Sequence, residues 1–540
     1  MKIRHYITCI ITVVLSLPYM IQAQADREAE LREKLAQTII DNLTPEMQAY
    51  YEEQKELYKK NHPVTPFIRY KNYTVFKGSN KAASSRDITR VLLLVNQTLY
   101  ANQQAKEKID RYGTDIGNAF NCTVEVEVTE GGEPLDIRAL LKEYYDNGGL
   151  DGVTIIGDQP VQWYDIKNPR FDPGSFACDL YYMDLDGSWE DVNSLGEYTW
   201  HVDGSGDVEP EIFCARIHLS SMSDFGDEVE LLNTYLDKDH EYWSGNMVMP
   251  QKGVAFVQET WAGYTNNTHY LYGDNNSDLF ESRNNANSTA YINNGLKGDY
   301  SFIQLWCHSS IHGHSFDWGG SINDVELFEI ESNPIGYGID ACHIGAWPEG
   351  NGSYITGSYV FGKSKRALTI LSGTRSGQSI GWEGRLFFEE LGENICFGKA
   401  FIDWLSDYFI DAKGSNDYVD DRETKAWHYG YVIVGDPLVC FKEVPTAIEQ
   451  DNTFSYKPDY TIRLTNNKSV KISYTLPSAQ LVTVKLYDMT GKCAATLVDF
   501  FHKKGQYSID LPLGKVANGL YILGLEAGPY TLSKKIRVVS

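Results

Sequence analysis

Cysteine is scarce in this 540-residue chain. There are nine, Cys9 among them in the first apolar stretch, and no two stand in a Cys-x-x-Cys spacing. That excludes a disulfide-stapled scaffold and removes zinc-ribbon and thioredoxin readings. Basic residues are in deficit, 48 Lys and Arg against 73 Asp and Glu, for a formal net charge of -25. A surface of that sign is not built to neutralise phosphates, so nucleic acid is excluded as a partner, as is a polybasic membrane contact. Long apolar runs are missing as well. Even Ile7 to Leu17, which follows a basic start at Lys2, Arg4 and His5, is too short to span a bilayer. With Ala23-Gln24-Ala25 behind it, the stretch 1–25 reads as a secretory signal cut near Ala23 or Ala25. The remaining chain is expected to be secreted or surface-attached, exported through the periplasm, with no transmembrane segment after signal removal.

What is present divides along the chain. Residues 26–85 are charged and helix-prone, with Leu31, Leu35, Ile39 and Leu43 at helical spacing, and read as a helical extension or prosegment. Residues 86–235 alternate buried-strand runs such as Val91–Val95 and Gly152–Gly157 with amphipathic helices through Ile109, Ile116 and Ile137 to Tyr144. Residues 236–445 repeat the pattern, with strands at 253–257, 302–306, 336–339 and 367–371. The fold class expected is α/β: open, mostly parallel sheets flanked by helices. Residues 451–540 change to short alternating strands split by turns such as Asn518-Gly519, and predict a small β-sandwich.

Two constellations carry chemistry. Cys342 ends an apolar run, and His308, His312 and His314 follow an earlier one. Thiol and imidazole so placed can assemble a nucleophile and its base, because the thiolate is the reactive form. Separately, Asp184, Asp186, Asp203 and Asp207 flank glycines, and such carboxylates suit a structural calcium ion. The histidines with Asp317 and His343 also fit a zinc metallohydrolase, a reading that leaves Cys342 without a role. A third reading is a non-catalytic surface protein used for binding or assembly.

Longer motifs narrow the choice. Tyr474-Thr475-Leu476-Pro477, Leu486 to Lys492, Gly505 to Ser508, Asn518 to Ile522 and Lys534-Lys535 resemble the sorting domain of the type IX secretion system. The resemblance implies that the secretion machinery is a partner. Ile155 to Asp158, Asp179 to Trp189, Glu209 to Ile217 and Gly430 to Leu438, in that order, resemble gingipain-type cysteine peptidases of the caspase-like clan. A clostripain-like peptidase shares the Asp-Ala-Cys and the strand-end histidine, but the late Gly-Asp-Pro and the sorting tail favour the gingipain type.

That resemblance implies an endopeptidase acting on protein or peptide substrates through a Cys-His dyad and an acyl-enzyme, with no cofactor for catalysis. Asp340-Ala341-Cys342 matches the nucleophile's position. For the base, His308 keeps the strand-end place and His312-Gly313 keeps the His-Gly pair; His308 is preferred, with His312 as the rival. Cys307 is a weaker nucleophile candidate. Cys342 and Gly313 are the expected oxyanion donors, and Gln378 and Trp382 match the region lining the substrate pocket. No carboxylate selecting Arg or Lys can be placed, so the residue preference at the cut stays open.

Overall fold

A computed structural model describes residues 45–538 apart from internal stretches, among them 79–87, 376–383, 414–427 and 445–460. The chain divides into two units, Met1–Ile448 and Glu449–Ser540. Within the described part of the first, α1 is Pro45–Asn61 and β1 is Ile68–Phe76. Then come β2 (Arg90–Asn96), α2 (Gln103–Phe120), β3 (Thr123–Glu130), α3 (Pro134–Asp146), β4 (Gly152–Ile156), β5 (Phe213–Ile217) and α4 (Glu228–Trp243). The second half supplies β6 (Gly253–Val257), β7 (Ser277–Phe280), β8 (Phe302–Trp306), β9 (His308–Ser310), β10 (Gly313–Phe316) and β11 (Gly320–Asn323). It closes with β12 (Gly336–Asp340), β13 (Thr369–Gly373) and β14 (Tyr431–Gly435).

One eleven-stranded sheet takes both stretches that the sequence separates at residue 235, in the order β1-β3-β2-β4-β5-β14-β13-β12-β8-β6-β7. It is parallel except at the β1–β3 edge and at the β13–β14 pair. The apolar runs explain the centre. Leu92 to Val95, Val254 to Val257 and Phe302 to Leu305 are fully buried, as strands covered by helices on both faces must be. β1 departs from the helical extension expected before residue 86. It is largely exposed and carries Arg69 and Lys71, charges that blunt an edge strand against stray pairing. The α2 helix, capped by the Asn102 side chain accepting from Gln104 N–H and Ala105 N–H, presses onto this end of the sheet. A Cβ on Gly113 would lie 2.8 Å from Val75 and 3.2 Å from Leu93, so only glycine allows that approach.

The Gly-Asp-Pro motif has a packing role. Gly435 has φ +103°, and a Cβ there would meet the Leu368 carbonyl oxygen at 2.0 Å. Asp436 behind it is buried and accepts from Tyr112 Oη–H (2.8 Å), Trp243 Nε1–H (3.1 Å) and Leu438 N–H (2.8 Å). Asp239 of α4 is buried beside it. Burial pushes Asp436 up to about 6, and burial together with the Asp436 charge pushes Asp239 well above the usual carboxylate range. Two carboxyls so placed hold at least one proton between them.

The second unit has two antiparallel sheets, Thr461–Leu464 with Ser469–Leu476 and Gly505–Pro512, and Cys493–His502 with Gln480–Asp488, Gly519–Ala527 and Tyr530–Val538. Val482, Val484, Leu486, Leu523 and Ile536 form its core.

The carboxyl pair generates a stability test. Because the folded-state pKa values are raised, the pair's favourable contribution is complete below about pH 4 and is lost as pH rises through about 6. Asp239→Asn is expected to raise the melting temperature at pH 8 relative to wild type and to change it little at pH 4. Calorimetry at both pH values checks this.

Candidate active site

The site is built on two neighbouring strand ends. β8 and β12 run parallel with Phe302 opposite Gly336 and Trp306 opposite Asp340. Each chain then leaves the sheet at its carboxyl end, where open parallel sheets bind ligands. The next residues are Cys307-His308 on one side and Ala341-Cys342 on the other. Cys342 is partly exposed, whereas Asp340 and His343 beside it are buried. The loop turns sharply there: His343 adopts φ +57°, a left-handed conformation uncommon for a residue with a side chain. His343 N–H donates to the Arg375 carbonyl (3.2 Å) and Gly345 N–H to the Gly373 carbonyl (2.8 Å), pinning the turn to the end of β13.

His308 opens a three-stranded antiparallel sheet of β9, β10 and β11. Its surroundings come from the turn after β6. His308 N–H donates to Gln258 Oε1 (3.2 Å), and the Trp261 ring stands 4.6 Å from the imidazole. His308 Nε2 lies 3.8 Å from Asp317 Oδ1. The other Asp317 oxygen is held by Thr260, accepting from its backbone N–H (3.2 Å) and from its hydroxyl. His308 is thus fixed by groups on two loops, and a carboxylate faces it.

The other histidines have different neighbours. His312 sits in the two-residue turn between β9 and β10. Its Nδ1 is 2.8 Å from Asp324 Oδ2, which also accepts from Ser353 Oγ–H (2.6 Å). His314 is fully buried among Ser309 Oγ (2.6 Å), Cys307 Sγ (3.4 Å) and Tyr359 Oη (2.9 Å). Burial pushes it down to about 3, so it is neutral, and it pushes the Cys307 thiol well up, away from the reactive thiolate. Each histidine is committed to its own partners, and among the described residues none joins a group of three or more converging ligand atoms. Gly313 pairs with Ser310 across the turn and with Asn323 on its other side. Gln378 and Trp382 lie outside the described residues.

The acidic loop forms a cluster of altered membership. Asp184, Asp186 and Glu211 bring one oxygen each within 4.8 Å of one another. Asp203 is exposed, and Asp207 takes part by donating its backbone N–H to Asp186 Oδ1 (3.1 Å). Glu211 is pushed up to about 7 by burial and by Asp184, Asp186 and Asp207. Its place in the Glu209–Ile217 stretch gave no sign of this, because Asp184 and Asp186 lie 25 or more residues earlier.

The N-terminal helix α1 lies over these loops. Tyr50 and Tyr51 are buried. The Tyr51 ring stacks on the His343 imidazole (4.4 Å, 15°), and Tyr51 Oη accepts from Ile311 N–H (3.5 Å). Tyr50 Oη is 3.2 Å from His312 Nε2. Further along, Lys55 donates to Ser175 Oγ (2.7 Å), Lys59 pairs with Glu197 (2.8 Å) and His62 lies 3.6 Å from Asp158.

Comparison with known proteins adds the following. Peptidase family C25 matches residues 100–441, more than half of the chain, and a secretion system C-terminal sorting domain matches residues 466–539. Among solved structures, the complex of Porphyromonas gingivalis RgpB pro- and mature domains is similar at 16% identity and TM-score 0.44, covering 83% of this chain and 100% of that one. DesR, a β-glucosidase from Streptomyces venezuelae in complex with D-glucose, aligns over 44% of this chain and 34% of that one, at 9% identity and TM-score 0.12. No curated protein matches the chain at a significant level.

The thiols separate by environment. Iodoacetamide is expected to modify the exposed Cys493 in the native protein and to leave Cys307 intact until urea unfolds it. Peptide mapping by mass spectrometry checks both.

Proposed function

Since the chain belongs to peptidase family C25 and is a cysteine-type endopeptidase of the gingipain kind, we propose that Cys342 is its nucleophile and His308 its base. The observation that carries this is the parallel register of β8 and β12, which brings a partly exposed thiol and a carboxylate-backed imidazole to adjacent strand ends. His308 takes the thiol proton. Cys342 Sγ attacks the scissile carbonyl carbon, and the Cys342 N–H helps hold the oxyanion. The tetrahedral adduct collapses as the amine leaves with a proton from His308, giving an acyl-enzyme. Water, deprotonated by the same imidazole, then releases the acid. Asp317 acts through His308, whose ring it orients from 3.8 Å. His312, whose Nδ1 faces Asp324 and whose Nε2 faces α1, is assigned to substrate contact rather than proton transfer.

The sorting domain marks the chain for export to the cell surface or beyond, so the type IX machinery is its partner in transit. No described helix is long and apolar enough to cross a membrane. We assign a structural calcium ion to Asp184, Asp186 and Glu211. Three carboxyls whose oxygens lie within 4.8 Å of one another, one of them pushed up to about 7 by burial and then by its acidic neighbours, suit a divalent cation. This ion takes no part in the chemistry.

Cys342→Ala is expected to abolish cleavage of a mixed peptide library, and His308→Ala to lower kcat/KM at least about a hundredfold. Asp317→Asn is expected to cost less than His308→Ala and to lower kcat more than it raises KM, a split that a purely structural residue would not produce and that steady-state kinetics reads. Survival of cleavage in Cys342→Ala would overturn the thiol assignment. Chelation with EDTA is expected to lower the melting temperature and calcium to restore it, as read by calorimetry.

A further inference from the structure

Two neighbouring tyrosines of α1 reach two different loops of the site. On a helix, adjacent side chains diverge by about 100°, so one dipeptide can fill two separate seats. Tyr51 takes the first. Its ring lies flat on His343, the residue after the nucleophile, while its hydroxyl accepts from Ile311 N–H. The left-handed backbone at residue 343 is what accompanies this placement of the imidazole. Tyr50 takes the second, ending on His312 Nε2.

The second seat has a chemical sense. The Asp324 carboxylate, itself held by Ser353, sits 2.8 Å from His312 Nδ1 and accepts from its N–H. In the neutral ring Nε2 then has a lone pair and accepts. A phenol hydroxyl satisfies it; a lysine ammonium could also donate, but only by burying a charge, and an aliphatic side chain leaves the nitrogen unpaired. Both rings are buried, 4% exposed for Tyr50 and 7% for Tyr51, so these are enclosed seats and not surface contacts.

We propose that this site recognises tyrosine-bearing peptide segments, with His343 as the platform for an aromatic ring and His312 as the reader of a phenol hydroxyl, the seats that Tyr51 and Tyr50 of α1 fill here. The proposal deepens the peptidase reading and rests on it for catalysis, but the binding it describes can be measured without any turnover. α1 displays the recognised groups on a helix, which withholds an extended backbone from Cys342.

The test uses the full-length chain. Cys342 alkylation by iodoacetamide is followed by mass spectrometry in wild type, Tyr51→Ala and the milder Tyr50→Phe, with thermal melts to confirm folding. Tyr51→Ala is expected to speed labelling about tenfold or more, and Tyr50→Phe by a smaller factor in the same direction. In Tyr51→Ala, N-acetyl-tyrosinamide should protect Cys342 at concentrations where N-acetyl-lysinamide and N-acetyl-leucinamide do not. In a peptide library, the double variant Tyr50→Ala/Tyr51→Ala should favour Tyr over Phe by at least about tenfold near the cut, and adding His312→Ala should collapse that ratio towards one. Unchanged labelling in both folded variants would overturn the occupant, and protection by the lysine amide in preference to the tyrosine amide would overturn the recognition chemistry. Protection by the tyrosine amide without cleavage of any peptide would support the seats and sink the peptidase mechanism instead, so the two failures are distinct.

Discussion

Everything in the site depends on the side-by-side parallel pairing of β8 and β12. A parallel ladder fixes which residue leaves the sheet opposite which. Here it delivers the histidine and the cysteine two residues beyond Trp306 and Asp340. A one-residue slip would exchange the two faces of a strand, burying what must be open. The register is held by full burial of Phe302 to Leu305 and of Tyr337 and Ile339. Glycine at 336, where a Cβ would lie 2.3 Å from Phe441, keeps β12 close to its neighbours. The chemistry is therefore positioned by strands that are fully buried.

Three histidines within seven residues show how far environment outweighs identity. His308 faces Asp317 and an indole; His312 is tied to Asp324; His314 is sealed among hydroxyls and a thiol. A cluster read as a metal site in one dimension separates because β9 and β10 form a hairpin. His308 and His314 lie on its two strands and His312 occupies the turn, each against a different wall.

The strands of the sheet were legible because buried parallel strands are short, unbroken apolar runs, as at Val91–Val95 and Phe302–Trp306. Their ends then pointed to Cys342 and His308. Less of the site could be read. Asp317 and Asp324 look like ordinary loop acids, and only the folding of β9 to β11 shows which histidine each one faces. Glu211 joins Asp184 and Asp186 across a long separation, while Asp203, chosen for its neighbouring glycine, is exposed. β1 was hidden in a charged stretch because an edge strand needs no apolar run. The β13–β14 pair is antiparallel inside a parallel sheet, which periodicity cannot reveal. Tyr50 and Tyr51 read only as part of a helix.

The short connection from α1 to β1 has a quantitative consequence. β1 is hydrogen-bonded into the sheet through its pairing with β3, so α1 cannot diffuse away. Any peptide must compete with a tethered rival whose effective concentration is on the order of millimolar. If α1 is docked in 99 molecules of a hundred, the apparent affinity for every peptide falls about a hundredfold, however well its side chains fit. Discrimination among peptides is untouched, because the same closed fraction divides each of them. Tether and pocket thus set two separate quantities, the threshold for activity and the choice of substrate.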